Sequence, residues 1–482
     1  MVHEWSQYKQ VPIGRRSMYP YINWHFVRTH SDLNAPWKLV VGAIHNTKDD
    51  IVDRMYLAKD FEKEAGRCFD FFTESKKKID ELGKFIEKTH ASTVKSIRIR
   101  DFKRLSDKEL ALVLDSFLEG RYGTMFIAGI LRLIDVGLMK HLERLARERA
   151  GDIPEAVSII TTSDVENFNA REEKALLKIA LTLKDKDLGI DSREARDELL
   201  SLHDQFCWIT LGYYDEKART LDEYRELLKD RLQKDPKQLL RDMEEKTRKE
   251  LEARDKLVMR LKPDKAEAFA IVLAQRSTFL KDLNKFNVNE MIYRADPLFA
   301  ELSRRLGRTV DELKHYFPHE LKAALLEKEF LDQKRLAERK RHLVIAAYPG
   351  VFEVYEGKDA DAFEEKYLKP TETGAKEFKG RIACPGYGKG PARVILGAFD
   401  FAKMRKGDVL IASNTSPDYV RIMKKAAAIV AEEGGLTAHV SVVSREFGIP
   451  CVVGIPKITT IIKDDEVIEV DAKTGVVRRM KS

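Results

Sequence analysis

The hydrophobic pattern of this chain changes period near His342, and that change restricts the fold more than any other feature of the sequence. From about residue 50 to residue 345 apolar residues recur at helical spacing. Ser106-Asp-Lys-Glu109 reads as a capping box, with Leu110, Val113, Leu114 and Phe117 behind it and Gly120 as the expected stop. Leu221, Tyr224, Leu228 and Leu232 form a second stripe ending near Pro236. Leu239, Leu240, Met243 and Leu251 carry on to Pro263, with Glu, Lys and Arg on the other face, and residues 303–338 are again charged and helical. Beyond His342 the apolar runs shorten to strand length. Leu343 to Tyr355 reads as two strands about a Pro349-Gly350 turn, and polar residues 356–379 read as a linker. Ala392–Leu396, Asp408–Ala412, Ala428–Ala431, Cys451–Gly454 and Val467–Val470 then follow, with helical patterns between some of them. The expectation is a multidomain chain: a large, mostly α-helical N-terminal region (1–345), a short hairpin and linker (346–379), and a compact C-terminal α/β domain (380–482). No fixed-period repeat supports a solenoid.

Composition narrows the class. At 482 residues the chain is long enough for about three domains. No apolar run approaches the roughly 18–20 residues of a membrane helix. Met1-Val-His-Glu-Trp5 has no apolar stretch of the kind that opens a secretory leader. Cys68, Cys207, Cys384 and Cys451 lie far apart without metal-ligand spacing, which suits a reducing cytoplasm and reads as small buried apolar residues. Net charge is +7, and residues from Phe378 onward hold 17 Lys and Arg against 11 Asp and Glu, an excess of six. That balance suits an anionic ligand such as phosphate but lacks the basic blocks of a dedicated nucleic-acid binder.

One segment carries chemistry: Glu433-Gly-Gly-Leu-Thr-Ala-His-Val-Ser-Val-Val-Ser-Arg-Glu-Phe-Gly-Ile-Pro450. The strand Ala428–Ala431 runs into Gly434-Gly435, where side-chain-free backbone lets a ligand approach closely. Thr437 is placed to cap the following helix, and His439 falls in its first turn, where unpaired N–H groups and the positive dipole end favour an anion. A neutral imidazole there can accept a phosphoryl group at physiological pH. Val442, Val443 and Glu446 share the His439 face. Arg445, about 240° round, is expected to reach a phosphate from outside or to tie the helix to its own sheet. By periodicity alone a helix-start histidine is more often structural.

The segment resembles the swivelling phosphohistidine domain of the PEP-utilising enzymes, a family that includes phosphoenolpyruvate synthase, pyruvate phosphate dikinase and rifampin phosphotransferase. Gly434, Gly435, Thr437, His439, Arg445, Glu446, Gly448, Ile449, Pro450, Val452 and Gly454 match its signature. The resemblance extends over about residues 378–482, through Gly380–Gly390, Gly407–Ala412, Thr415–Asp418 and Asp471–Val476. It implies that His439 is the transiently phosphorylated residue, with Thr437, Gly434, Gly435 and Arg445 supporting the phosphate. Ala438 departs from the serine of many members, and Cys384 from the usual serine or alanine. The first 340 residues show no nucleotide-binding ATP-grasp pattern and no G-x-x-x-x-G-K-[ST], and no TIM barrel follows, so the expected form is one lacking both domains.

The resemblance therefore implies a phosphotransferase component, with ATP and Mg²⁺ at a donor site on a separate ATP-grasp-type subunit and a small-molecule acceptor. No motif of this chain binds either cofactor or a metal. The helical region resembles, more distantly, the substrate-binding part of rifampin phosphotransferase-like proteins. Leu202–Tyr214 offers His203 and Trp208 as candidate acceptor-pocket residues, against a plainer reading as packed helix core. Trp5, Tyr8, Tyr19, Tyr21, Trp24 and Trp37 make the N-terminus aromatic and pack helices or cover a pocket. The alternative function is a non-catalytic binding or regulatory protein that keeps the phosphohistidine-domain fold.

Overall fold

The computed structural model describes residues 10–17, 43–48, 51–98, 101–150, 153–211, 217–348, 351–368, 375–413, 415, 419–432, 439–455 and 457–480. The aromatic N-terminal positions singled out above lie outside them. The chain divides into two compact units: Met1–Phe69 with Met139–Ser158 and Asp311–Ser482, and Asp70–Leu138 with Ile159–Val310.

The first unit holds two sheets. Strands β1 (Gln10–Ser17), β2 (Ala43–Lys48), β3 (Ile51–Leu57), β4 (His342–Tyr348) and β5 (Val351–Glu356) form an antiparallel sheet in the order β1-β3-β2-β4-β5. The mostly helical region up to 345 thus opens with strands the sequence did not reveal, and the hairpin expected near 350 belongs to their sheet: β4 pairs with β2, from Ala43 opposite Ala347 to Lys48 opposite His342. The partners lie about 300 residues apart, beyond the reach of any local pattern. From Leu343 to Ala347 β4 is apolar because both its faces are covered. Leu343, Ile345 and Ala347 pack with Phe317 on one side, while Val344 and Ala346 pack with Ala360, Phe363 and Leu368 on the other. Those last three come from the supposed linker, where the helix Lys358–Phe363 and the turn Glu364–Leu368 are docked on the sheet. Residues 369–374 of the expected linker lie outside the described residues.

Beside this sheet Arg339, fully buried on the helix Gln333–Arg341, donates to Glu320 at 2.6 and 2.9 Å, to Glu356 at 2.8 and 2.5 Å and to the His315 carbonyl at 2.8 Å. Its guanidinium lies 4.2 Å over the Phe317 ring. Burial pushes the Glu320 carboxyl up, but Arg339 outweighs it and holds the group below the usual range. His315 is buried too. Desolvation, reinforced by the charge of Lys340, lowers its pKa to about 4, so the ring stays neutral in the fold. The unfolded chain binds a proton at about pH 6.5 that the folded chain refuses down to about pH 4. Stability present above pH 6.5 is therefore lost as pH falls through that window, at up to about 1.4 kcal/mol per pH unit. Urea unfolding at pH 7 and pH 5 should show His315→Gln losing about 2 kcal/mol less than wild type between the two. Equal losses would assign the acid sensitivity elsewhere.

The second sheet of this unit has eight strands, β6 (Glu377–Lys379), β7 (Arg381–Cys384), β8 (Tyr387–Ile395), β9 (Val409–Ala412), β10 (Ala428–Ala431), β11 (Cys451–Val453), β12 (Val467–Asp471) and β13 (Val476–Arg479). Their order is β6-β13-β12-β8-β9-β10-β11-β7. The four inner strands β8 to β11 run parallel, and antiparallel strands flank them. β9, β10 and β11 are buried at every position, as a sheet covered on both faces requires. One core includes Val440 and Val443 of the helix His439–Phe447, and the other includes Ile458 and Ile462 at and just past the short helix Ile458–Ile461. Gly390 is demanded by backbone crowding, since a Cβ there would lie 2.2 Å from the Gly407 carbonyl oxygen.

The second unit is helical: Lys76–Ile97, Asp107–Arg149 as far as Leu138, Phe168–Asp185, Arg193–Phe206, Leu221–Gln233, Pro236–Leu261 and Lys265–Leu306. The capping box forms, with Ser106 N–H donating to Glu109 at 2.8 Å and Glu109 N–H to the Ser106 hydroxyl at 3.3 Å. Gly120 does not stop that helix. It lets the neighbouring helix come close, because a Cβ there would meet Thr93 Oγ1 at 1.9 Å and its Cγ2 at 2.6 Å. Gly120→Ala should therefore lower stability by about 2 kcal/mol, overpacking outweighing the roughly 1 kcal/mol of helix propensity gained. Gly66, exposed and with nothing within 4 Å, is the control where the same change should stabilise by roughly 1 kcal/mol. Thermal unfolding of both variants checks the opposite signs.

Among the described residues one helix, Asp107–Arg149, is long and apolar enough to cross a membrane by length and composition. Arg132 and Asp135 interrupt its apolar run in the sequence, which is why none was expected there. Its most apolar window is 67% buried inside the fold, as for a core helix, and Asp135 accepts from Ser277 at 3.0 Å and Lys281 at 2.7 Å.

Candidate functional site

In a parallel sheet the loops leaving the carboxyl ends of the strands gather at one edge, the usual place for a ligand in an open α/β fold. Here β9, β10 and β11 pair in register, Ala412 beside Ala431 and Ala431 beside Val453, so their exits meet. The Glu432 N–H donates to the Ala412 carbonyl at 3.0 Å, and the Ala431 carbonyl accepts from Gly454 at 2.9 Å and Ile455 at 3.3 Å. The Glu432 carboxylate, buried at 6% exposure, accepts the Thr459 N–H at 2.9 Å and the Thr459 hydroxyl. The chain leaves this junction into residues 433–438 and returns as the helix His439–Phe447.

His439 is the first residue of that helix, where the N-terminal N–H groups have no partners of their own within the helix. Its side chain, and Gly434, Gly435, Thr437 and Ala438, lie outside the described residues. Val440, Ser441, Val443 and Ser444 are buried and fix the helix on the sheet, while Glu446 and Phe447 are exposed. Arg445 is half-buried and donates to the Ala383 carbonyl of β7 at 3.1 Å, the second of the two roles open to it in the sequence. Cys384 and Cys451 stand opposite each other on β7 and β11 beneath this helix. Burial pushes the Cys451 thiol up to about 12, so it is an inert packing residue.

His203 and Trp208 belong to the helical unit. The His203 ring meets Tyr224 edge-on at 6.2 Å, and Trp208 is buried between Phe286 at 5.6 Å and Tyr293 at 5.9 Å with Arg294 4.9 Å over it. This is core packing. A shallow cleft of about 570 Å³ in the same unit, lined by Ser192, Arg193, Glu194, Asp197, Glu198 and Ser201 among others, contains neither. Among the described residues no three His, Cys, Asp or Glu side chains are grouped to hold a metal ion. The buried Glu432–Thr459 contact at the strand exits is a feature that sequence reasoning missed. The available signal was an acidic residue directly after an apolar strand that proves to be buried.

Residues 404–475 match the family model of the PEP-utilising enzyme, mobile domain. A probable phosphoenolpyruvate synthase of Archaeoglobus fulgidus is 42% identical over 120 residues, 25% of this chain and 16% of that protein. The phosphoenolpyruvate synthase of Pyrococcus furiosus is 48% identical over 100 residues, 21% of this chain and 12% of its own. The likeness thus spans less than a fifth of those relatives. A solved chain of Thermococcus kodakaraensis aconitase X in its holo-form covers 22% of this chain and 100% of itself at 19% identity, with a TM-score of 0.18, too low to bear on the fold. The parallel sheet, the helix beginning at His439 and the matched segment coincide: residues 404–475, within the C-terminal α/β fold, are similar to the mobile domain of the PEP-utilising enzymes.

Proposed function

We propose that the chain is a phosphotransferase component in which His439 carries a phosphoryl group between a donor site and an acceptor. The observation that supports this most is that the matched segment places His439 at a helix start on the carboxyl edge of the sheet. In the forward step a ring nitrogen attacks phosphorus in line while the bond from phosphorus to the donor's leaving oxygen breaks. The product is a phosphoramidate, labile enough to be passed to an acceptor oxygen in a second displacement. The helix N-terminus and the flanking glycine backbone stabilise the phosphoryl oxygens. The donor is ATP or PEP on a partner subunit, for ATP one of the ATP-grasp type, with Mg²⁺ there offsetting phosphate charge. The acceptor is a small molecule.

The test incubates the full chain with ³²P-labelled ATP or PEP, with and without an ATP-grasp-type protein encoded beside it. Acid-labile, base-stable label should map to the peptide containing His439. Absence of label from both donors in the presence of that subunit would overturn the reading.

A further inference from the structure

We infer that Glu432 is a positioning residue for the helix that begins at His439, acting through Thr459; the inference rests on the phosphocarrier reading above. Glu432 is the first residue past β10 and the last described residue before that loop. Its backbone is tied to the exit of β9, and its neighbour Ala431 is tied to the exit of β11. Its carboxylate reaches past both to the first turn of the helix Ile458–Ile461, taking the backbone N–H and the hydroxyl of Thr459 on one oxygen. Three strand exits therefore meet through backbone bonds at residues 431 and 432, and the Glu432 side chain adds the tie from that junction to one helix start.

Burying a carboxylate is costly unless it is hydrogen-bonded, and an apolar residue would fill this place in a plain scaffold at less cost. A carboxyl oxygen with two donors on it gives a directional tie that an apolar contact cannot supply. Direction matters here because in-line transfer tolerates little misplacement, an error of 1 Å costing on the order of a hundredfold in rate. Glu432 touches neither phosphate nor imidazole in this account. It sets where the 433–438 segment departs, and so where the His439 helix begins.

The experiment compares full-length Glu432→Ala, Glu432→Gln, Thr459→Val and the double variant Glu432→Ala/Thr459→Val. The readout is the initial rate of label entering His439 from the donor that labels wild type, measured below each variant's unfolding range. Glu432→Ala and Thr459→Val should each slow labelling at least tenfold, and the double variant should be no slower than the slower single. Glu432→Gln, which keeps an acceptor oxygen at the same reach, should stay within about threefold of wild type. Val470→Ala, a cavity in the core on the other face of the sheet, is the structural control and should lower the unfolding midpoint without slowing labelling. Single variants within twofold of wild type, losses that multiply in the double variant, or a glutamine variant as slow as alanine would each overturn the inference. A wild type that takes no label removes the phosphocarrier reading and this inference together. A labelled wild type with indifferent variants removes only the latter.

Discussion

His439→Ala and His439→Gln should fold as wild type does and accept no phosphoryl group from any donor that labels the native chain. The helix starting at residue 439 is held by Val440 and Val443 in the core and by Arg445 on the Ala383 carbonyl. Those contacts belong to other side chains and remain in both variants, so the unfolding midpoint is expected to stay close to that of wild type. The chemistry has no such reserve. Neither an alanine methyl nor a glutamine amide offers a nitrogen lone pair able to displace at phosphorus, so labelling should fall below detection. Unfolding midpoints and label incorporation, measured on the same preparations, check both halves. Residual label on either variant would place the phosphorylated residue elsewhere in the chain.

Arg339→Ala should be the most damaging single change away from the site, costing about 3–5 kcal/mol. For a unit of this size that is a fall of about 10 °C in midpoint, readable by calorimetry. The loss comes less from the missing cation than from what it leaves behind. Glu320, only 15% exposed, would lose its guanidinium partner, Glu356, 13% exposed, would be left with Arg335, and the His315 carbonyl would lose the Arg339 donor. Arg339→Lys keeps the charge but not the fork that serves two carboxylates at once, so its loss should be intermediate. Adding Glu320→Gln to Arg339→Ala should return part of the stability, because a neutral amide tolerates burial better than an unpaired charge. A double variant less stable than Arg339→Ala would show that the unpaired carboxylate is not the source of the loss.

Strands β9 to β12 were legible because they are short apolar runs, whereas β8 begins at Tyr387, ahead of its apolar run, and β6, Glu377–Lys379, has no such run to show it. The helix at His439 was legible from the Val440 and Val443 spacing. Other features were hidden for separate physical reasons. Gly120 looked like a stop because glycine both ends helices and admits close neighbours, and only the position of Thr93 decides between them. The helix Lys358–Phe363 was concealed by its polar composition, since Ala360 and Phe363 are all it buries. Strands β1 to β3 could not be read locally because what stabilises them is a partner strand far along the chain. His203 and Trp208 were proposed for an acceptor pocket from residue type; in the fold Trp208 is buried beside Phe286 and half-buried His203 meets Tyr224 edge-on.

That distant partner has a consequence for synthesis. On the ribosome β2 and β3 are made early but cannot be completed as a sheet until His342–Tyr348 has left the exit tunnel. Everything from Asp70 to Val310, apart from the 139–158 excursion, forms a unit that can close meanwhile. Until β4 arrives, the nascent chain therefore offers an open strand edge, the part of this protein most exposed to mispairing and most in need of a chaperone's cover.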